Sequence, residues 1–259
     1  MFSKEIKKKL SSLGLKSGDK LIVTSDALKL LIFLKRNKIK YSLDNLIDDL
    51  IEIVGKKGNI IFPTFNWDFC KGKIFNYETS KSMTGALSNV ALKRNDFIRS
   101  KNPIYSFAVW GKDKNKICKM EHKSCFSMSS PFGYLIKNKA KNLCIGMNYR
   151  DGFTFVHVAE EQIGVNYRYI KRYKGTIINK NKKKSAAYKM YVRDLSLNLE
   201  TKIHKKLDNE LKKQKKLIKK IFYGINFSVI DVNVAYNTMI KDLKKNKKIV
   251  YTKKIKAKT

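Results

Sequence analysis

Four short apolar runs constrain this chain more than any other feature. They are "KLIVT" at 20–24, "NIIF" at 59–62, "SFAVW" at 106–110 and "NLCIG" at 142–146. Runs this short read as strands, with "KLIVT" and "NLCIG" as buried ones. Helix signals lie between them. Ile6, Leu10 and Leu13 share one face over 3–13, with Gly14 at the helix end. Ser42 can cap a helix whose stripe is Leu43, Leu46, Ile47, Leu50, Ile51 and Val54, ended by Gly55. Thr84 opens another in "TGALSNVALKR", and Thr154 caps one through "FVHVAEEQ". The segment "SDALKLLIFLKR" receives no assignment. This alternation over the first 165 or so residues predicts an α/β fold, a central mixed sheet flanked by helices.

The remainder is less regular. "TIINK" and "AAYKMYVRDL" read as a hairpin around a lysine-rich turn at 181–184. Residues 202–222 read as one basic amphipathic helix with Leu207, Leu211, Ile218, Ile221 and Phe222 on its buried stripe. From Lys241 the expectation is a solvated helix and a frayed tail. With no repeats and no proline-rich linker, residues 1–259 are expected to form one domain. Its core spans 1–175, and 176–259 is a basic C-terminal subdomain containing the hairpin and helix.

The formal net charge is +36, from 57 basic and 21 acidic residues. Only seven of the basic residues are arginines. Surfaces that read phosphates and bases favour arginine's planar fork, so the charge reads chiefly as lysine usage spread over solvated faces. No nucleic-acid partner is expected, although a lysine-driven nucleic-acid binder is the competing class. The positive field still attracts anionic ligands. Cys70, Cys118, Cys125 and Cys144 form no CxxC pair or regular framework and read as reduced thiols. The N-terminal segment is charged almost throughout, with no apolar core of a signal peptide, and no run approaches ~18 apolar residues. A cytoplasmic location without a transmembrane segment is expected.

Three histidines make the search for a general base short. His122 lies between Glu121 and Lys123 and reads as an exposed surface residue. His204 falls in the lysine-rich helix and reads the same way. His157 follows the buried strand "NLCIG" and the polar "MNYRDG" loop, then enters an apolar helix start. Ligands of α/β sheets bind at the carboxyl ends of strands, so His157 is the candidate base. Glu160, three residues on, shares its helical face and can orient the ring. This pair has no further histidine or cysteine ligand nearby, so no metal site is expected. The segments "TSD" at 24–26, "PTFNW" at 63–67, "KSMTGAL" at 81–87 and "SMSSPFG" at 127–133 can present backbone N–H groups to phosphate, or simply cap helices. There is no Walker loop, no GxGxxG and no GxSxG elbow.

Taken in order, "LIVTSDAL", "LIEIVGKKGNIIFPTF", "SKSMTGALSNVALKR", "KNPIYSFAVWG", "SSPFG", "NLCIGMNYRDGFTFVHVAEE" and "VNYRYIKRY" resemble the aminoglycoside 3-N-acetyltransferase family. The resemblance covers about residues 5 to 175; the last third matches only loosely. It implies a mixed α/β fold, acetyl-CoA as donor, and direct acetyl transfer to a sugar amine. It makes His157 the functional histidine. Thr24, Ser25, Ser82, Thr84 and Gly85 would lie near coenzyme A, and Ser130, Phe132 and Gly133 would line the pantetheine path. Asn66, Trp67, Tyr105 and Tyr149 are the expected acceptor contacts, since an aromatic can stack on a base or cover a sugar face.

Departures from the family pattern bear on the acceptor. Antibiotic-modifying members typically read H-S-S-L where this chain has Thr24-Ser25-Asp26-Ala27-Leu28, and carry histidines where it has Asn102 and Tyr105. The resemblance is nearer the branch acetylating nucleotide-linked amino sugars for surface glycans. A diphosphate acceptor also suits the charge. An aminoglycoside antibiotic is the alternative acceptor, and a catalytically dead relative acting as an interaction subunit is a further one. A homo-oligomer is compatible with either enzyme reading.

Overall fold

The computed structural model describes residues 1–245 and 247–255. In chain order the elements are α1 (Phe2–Ser11), β1 (Lys20–Ser25), α2 (Leu28–Arg36), α3 (Leu43–Val54), β2 (Asn59–Pro63), β3 (Phe75–Asn76), α4 (Ala86–Lys93), β4 (Ile98–Arg99), β5 (Phe107–Gly111), α5 (Lys114–Lys119) and α6 (Pro131–Lys137). There follow β6 (Lys141–Ile145), α7 (Phe155–Ile163), β7 (Arg168–Asn179), β8 (Lys182–Arg193), β9 (Leu199–Ile203), α8 (Lys206–Lys213), β10 (Leu217–Phe222), β11 (Ile225–Asp231), α9 (Val232–Lys245) and β12 (Val250–Lys254).

The four apolar runs become β1, β2, β5 and β6 of one mixed sheet ordered β10-β11-β6-β1-β2-β5-β4. Within it only β6, β1 and β2 run parallel to one another; the remaining pairings are antiparallel. Alternate side chains feed two cores, as the period of a strand requires. Leu21, Val23, Ile60 and Phe62 meet the helices α1, α3 and α4 on one face. Ile22, Ile61, Phe107 and Val109 meet an aromatic-rich layer with α6, α7 and α9 on the other. Ser42 caps α3 by a reciprocal pair of hydrogen bonds with Asn45. The unassigned "LKLLIFLKR" forms α2, its Leu30 and Leu34 buried against the same core. No helix among the described residues is long and apolar enough to cross a membrane.

The C-terminal third departs most from expectation. The hairpin is longer: β7 and β8 pair over twelve residues each, and Lys180 and Asn181, both at positive φ, make the turn. Lysines 182–184 therefore lie in β8, and β7 runs across position 175. Residues 202–222 are not one helix. α8 carries the buried Leu207 and Leu211, the chain turns at Lys215 (φ 54°), and Ile218, Ile221 and Phe222 belong to β10. The free edge of β11 captures that segment, so tertiary pairing overrides helical periodicity. β10 and β11 complete the central sheet beside β6. The tail is not frayed as far as residue 254. Asp242 turns its carboxylate to the N–H groups of Lys248, Ile249 and Val250 at 2.9–3.0 Å, and β12 then pairs antiparallel with β9. The remainder of the expected tail, 256–259, lies outside the described residues.

One close approach fixes how the sheet meets its loops. Gly146, just past β6, has φ +78°, and a Cβ there would stand 2.1 Å from the carbonyl oxygen of Asp26, just past β1. Gly146→Ala is therefore expected to destabilise the fold by about 2 kcal/mol or more, read as a lower urea midpoint at unchanged slope.

Candidate active site

The carboxyl ends of β1 and β2 open into a cleft of about 660 Å³. It draws together Thr24 and Ser25 from β1, Trp67, Thr84 and Gly85 from the loops after β2, Tyr105 from the approach to β5, and His157 from α7. Leu28, Leu31 and Met83 give its mouth an exposed apolar rim. Parallel strands place diverging loops at their carboxyl ends, which is why residues far apart in sequence meet here.

Two partly buried hydrogen-bonded groups hold the loops. Asn89 of α4 accepts from Ser82 N–H at 2.8 Å and donates to the carbonyls of Ser82 and Gly85, each at 3.0 Å. Ser82 and Thr84 share a hydroxyl contact of 2.6 Å, and the Thr84 hydroxyl donates to the Pro63 carbonyl. Beneath them, Arg99 donates to Ser106 Oγ at 3.0 Å, to the Thr64 carbonyl at 3.1 Å and to the Ser80 carbonyl. Its guanidinium lies 4.6 Å from the Phe75 ring centre. Burial lowers the Arg99 pKa to about 10. Neither Asn89 nor Arg99 carried a motif that sequence reasoning could seize.

His157 is the chemical centre. Its Nδ1 lies 2.7 Å from Glu160 Oε2. Glu160 is wholly buried; Thr201 donates to its Oε1 at 2.6 Å, and Arg168 Nε stands 2.8 Å from its Oε2. The i,i+3 spacing thus brings ring and carboxylate together as expected. Thr201, from β9, gave no signal in the sequence, and Arg168 was visible only within "VNYRY". The His157 side chain stays 26% exposed, with Phe126 packed 5.4 Å away between ring centres. Burial, aided by the Arg168 charge, lowers the His157 pKa, against the opposing pull of Glu160. Burial alone would raise the Glu160 pKa, but the hydrogen bond and charge of His157, with Arg168 and Thr201, bring it down. With Nδ1 engaged and the ring neutral near pH 7, Nε2 is the nitrogen left to accept a proton. No hydrogen bond among the described residues occupies it.

Other expected site residues fall outside this cleft. Ser130 caps the start of α6 from a fully buried position, its Oγ donating to the Ser127 carbonyl at 2.6 Å. Phe132 packs among Tyr105, Phe107 and Phe155. Gly133 is pressed against Met128, whose carbonyl oxygen would stand 2.2 Å from a Cβ. These three support the wall rather than line it. Asn66 is also structural, donating to the Lys81 carbonyl at 2.9 Å and accepting from Asp68 N–H. Tyr149 is buried, donates to Asp208 at 2.6 Å and borders a separate cleft of about 460 Å³. His122 is buried rather than exposed, its Nδ1 2.9 Å from the Ser124 carbonyl, because the β8 edge folds over the loop that carries it. His204 sits ahead of α8, its Nδ1 accepting from Lys206 N–H. Burial raises the Cys125 thiol pKa strongly and that of Cys144 to about 11, which leaves both inert near pH 7.

Comparison with known proteins adds a family to this geometry. The chain is 27% identical over 178 residues to the SPbeta prophage-derived aminoglycoside N(3')-acetyltransferase-like protein YokD of Bacillus subtilis (strain 168). That match spans 60% of this chain and 62% of YokD, less than two thirds of its length. The crystal structure of YokD superposes with a TM-score of 0.73 at 21% identity, covering 94% of this chain and 99% of the other. AAC-IIIb in binary complex with CoASH gives 0.76 at 16% identity over 94% and 96% of the two chains. Sisomicin-bound AAC-VIa gives 0.76 at 16% over 93% and 97%. These structures share the mixed α/β fold. The family model for aminoglycoside 3-N-acetyltransferases matches residues 33–243, most of the sequence from α2 to α9, and the chain belongs to that family.

Proposed function

We propose that this chain is an acetyl-CoA-dependent N-acetyltransferase acting on the amine of an amino sugar. One observation carries the reading: a neutral imidazole, His157, fixed at Nδ1 by the buried Glu160, with Nε2 left for the cleft. An alkylammonium has no lone pair, so its nitrogen must give up a proton to become a nucleophile. His157 takes that proton at Nε2 and passes it to the departing sulfur. Glu160, held in turn by Arg168 and Thr201, keeps the ring oriented and offsets the charge it gains. The bound donor supplies a thioester carbonyl. Its residues fit such a polyanion with an apolar arm. Gly85, at φ +112°, opens α4 with N–H groups facing outward from the helix start, and Leu28, Leu31 and Met83 form the apolar rim. Thr24, Ser25 and Thr84 border the same space, with Ser82 behind. Tyr105 and Trp67 edge the same space, their rings 6.3 Å apart between centres.

The family and the names of its relatives favour an aminoglycoside as acceptor. A second reading, a nucleotide-linked amino sugar for surface glycans, is favoured by the net charge of +36, which repels polycations and attracts diphosphates. A donor made in the cytoplasm makes that the expected compartment.

Thiol release from acetyl-CoA tests the activity, with gentamicin and nucleotide-linked 3-amino and 4-amino sugars as acceptors. Release with one class identifies the acceptor; release with none overturns the N-acetyltransferase reading. His157→Ala is expected to lower kcat by roughly 10²–10⁴-fold with thermal stability retained. Full activity in that variant would remove His157 from the reaction.

The pH profile follows from the direction of the His157 shift. Activity needs the neutral ring, and its pKa is lowered, so the acid limb of kcat/KM should reach half-maximum below pH 6.5. Glu160 raises the ring's pKa. Glu160→Gln should therefore move the acid limb to still lower pH while reducing the maximal rate.

A further inference from the structure

His157 borders a second cleft besides the one at the strand ends. It measures about 450 Å³ and lies along the β7–β8 hairpin and β9, with Arg168, Tyr169, Lys171, Tyr173 and Arg193 in its walls. Lysine in this chain is background, but arginine is scarce: seven residues in 259. Two of the seven stand in this cleft, directly opposite each other, because Arg168 and Arg193 are partners in the β7–β8 register. Like charges placed opposite across a hairpin destabilise it unless something neutralises them. Glu160 neutralises Arg168 at 2.8 Å. Nothing does so for Arg193, which is half-buried and, like Arg36, Arg99 and Arg172, has no ion-pair partner among the described residues. The carboxylate in the cleft, Glu200, is engaged by Lys202 at 3.1 Å. The site thus holds a half-buried planar cation without a bound anion, in a cleft that His157 also borders.

We propose that this second cleft seats the acceptor and that Arg193 grips a phosphate group on it. The acceptor class is a phosphate-bearing amino sugar, its amine directed to His157 and its ring or base against Tyr169, which is 48% exposed. Guanidinium suits phosphate through paired hydrogen bonds. The placement beside His157 rests on the acetyltransferase reading for its purpose, but the binding does not. Apart from His157 the two clefts share no lining residue, so each offers its own surface beside the imidazole.

Calorimetric titration of the full chain separates the possibilities, using glucosamine, glucosamine 1-phosphate, a uridine-diphosphate-linked amino sugar and gentamicin. Both phosphorylated probes should bind roughly tenfold or more tighter than glucosamine and gentamicin. Arg193→Gln should abolish that advantage, Arg193→Lys should keep part of it, and acetyl-CoA affinity should stay unchanged in both. Relief of the like-charge pair predicts that Arg193→Gln melts no lower than the parent; if it misfolds, Arg193→Lys carries the comparison. Equal affinity for the two phosphorylated probes marks a sugar phosphate as the source, and tighter binding of the diphosphate marks a nucleotide-linked sugar. Gentamicin binding as tightly as either, an advantage that survives Arg193→Gln, or a loss confined to acetyl-CoA overturns the proposal. Phosphate binding through Arg193 without thiol release from any acceptor would support it while sinking the acetyltransferase reading.

Discussion

A single wholly buried carboxylate, Glu160, organises the site. Removing a carboxylate from water costs several kcal/mol unless partners replace the lost hydration. Here three do so: His157 from the same helix, Arg168 from the start of β7 and Thr201 from β9. The requirement runs both ways. The carboxylate needs all three to remain charged, and each is pinned by serving it. A helix, a long hairpin and a short two-stranded sheet are thereby locked to one another around one imidazole. The low pKa of that imidazole follows from its burial and from Arg168, while Glu160 keeps it from falling further.

The architecture around this centre separates two tasks. The parallel strands β6, β1 and β2 supply loops whose backbone approaches closely, as the Gly146–Asp26 contact shows. That edge suits a ligand read through main-chain N–H groups and an apolar rim. The hairpin edge is built from side chains instead, with tyrosines and arginines along two exposed strands. His157 stands where the two meet.

What could be read in advance follows from which forces are local. β1, β2, β5 and β6 announce themselves because double-sided burial demands uninterrupted apolar runs, and α3 because Ser42 and its apolar stripe agree. Glu160 was legible as a candidate partner of His157 because i,i+3 residues share a helical face, while the choice of Glu160 over a more distant carboxylate needed the structure. Thr201 was not: it reaches Glu160 from 41 residues away, and an ordinary threonine in a lysine-rich stretch carries no mark of that. Arg99 was equally silent, since two of its three hydrogen-bond partners are backbone carbonyls, which every residue possesses, and the third is the hydroxyl of Ser106. The segment 202–222 misled because Leu207 and Leu211 do share a helical face, while Ile218 to Phe222 answer to the edge of β11. Phe132 and Gly133 lay in a recognisable motif whose role here is to pack the wall.

The pairing of β12 with β9 has a consequence for the order of assembly. Within the described residues β9 has no other strand beside it, so the only strand pairing of the segment carrying Thr201 is with Val250–Lys254. His157 comes well before β12 in the chain, and the strand partner of the segment carrying Thr201 is supplied only at Val250–Lys254. Loop closure over that span is slow compared with forming α7. The helix that carries His157 can therefore form well before the β9–β12 pairing that helps hold Thr201 against Glu160, so the surroundings of the imidazole are completed later than the imidazole itself.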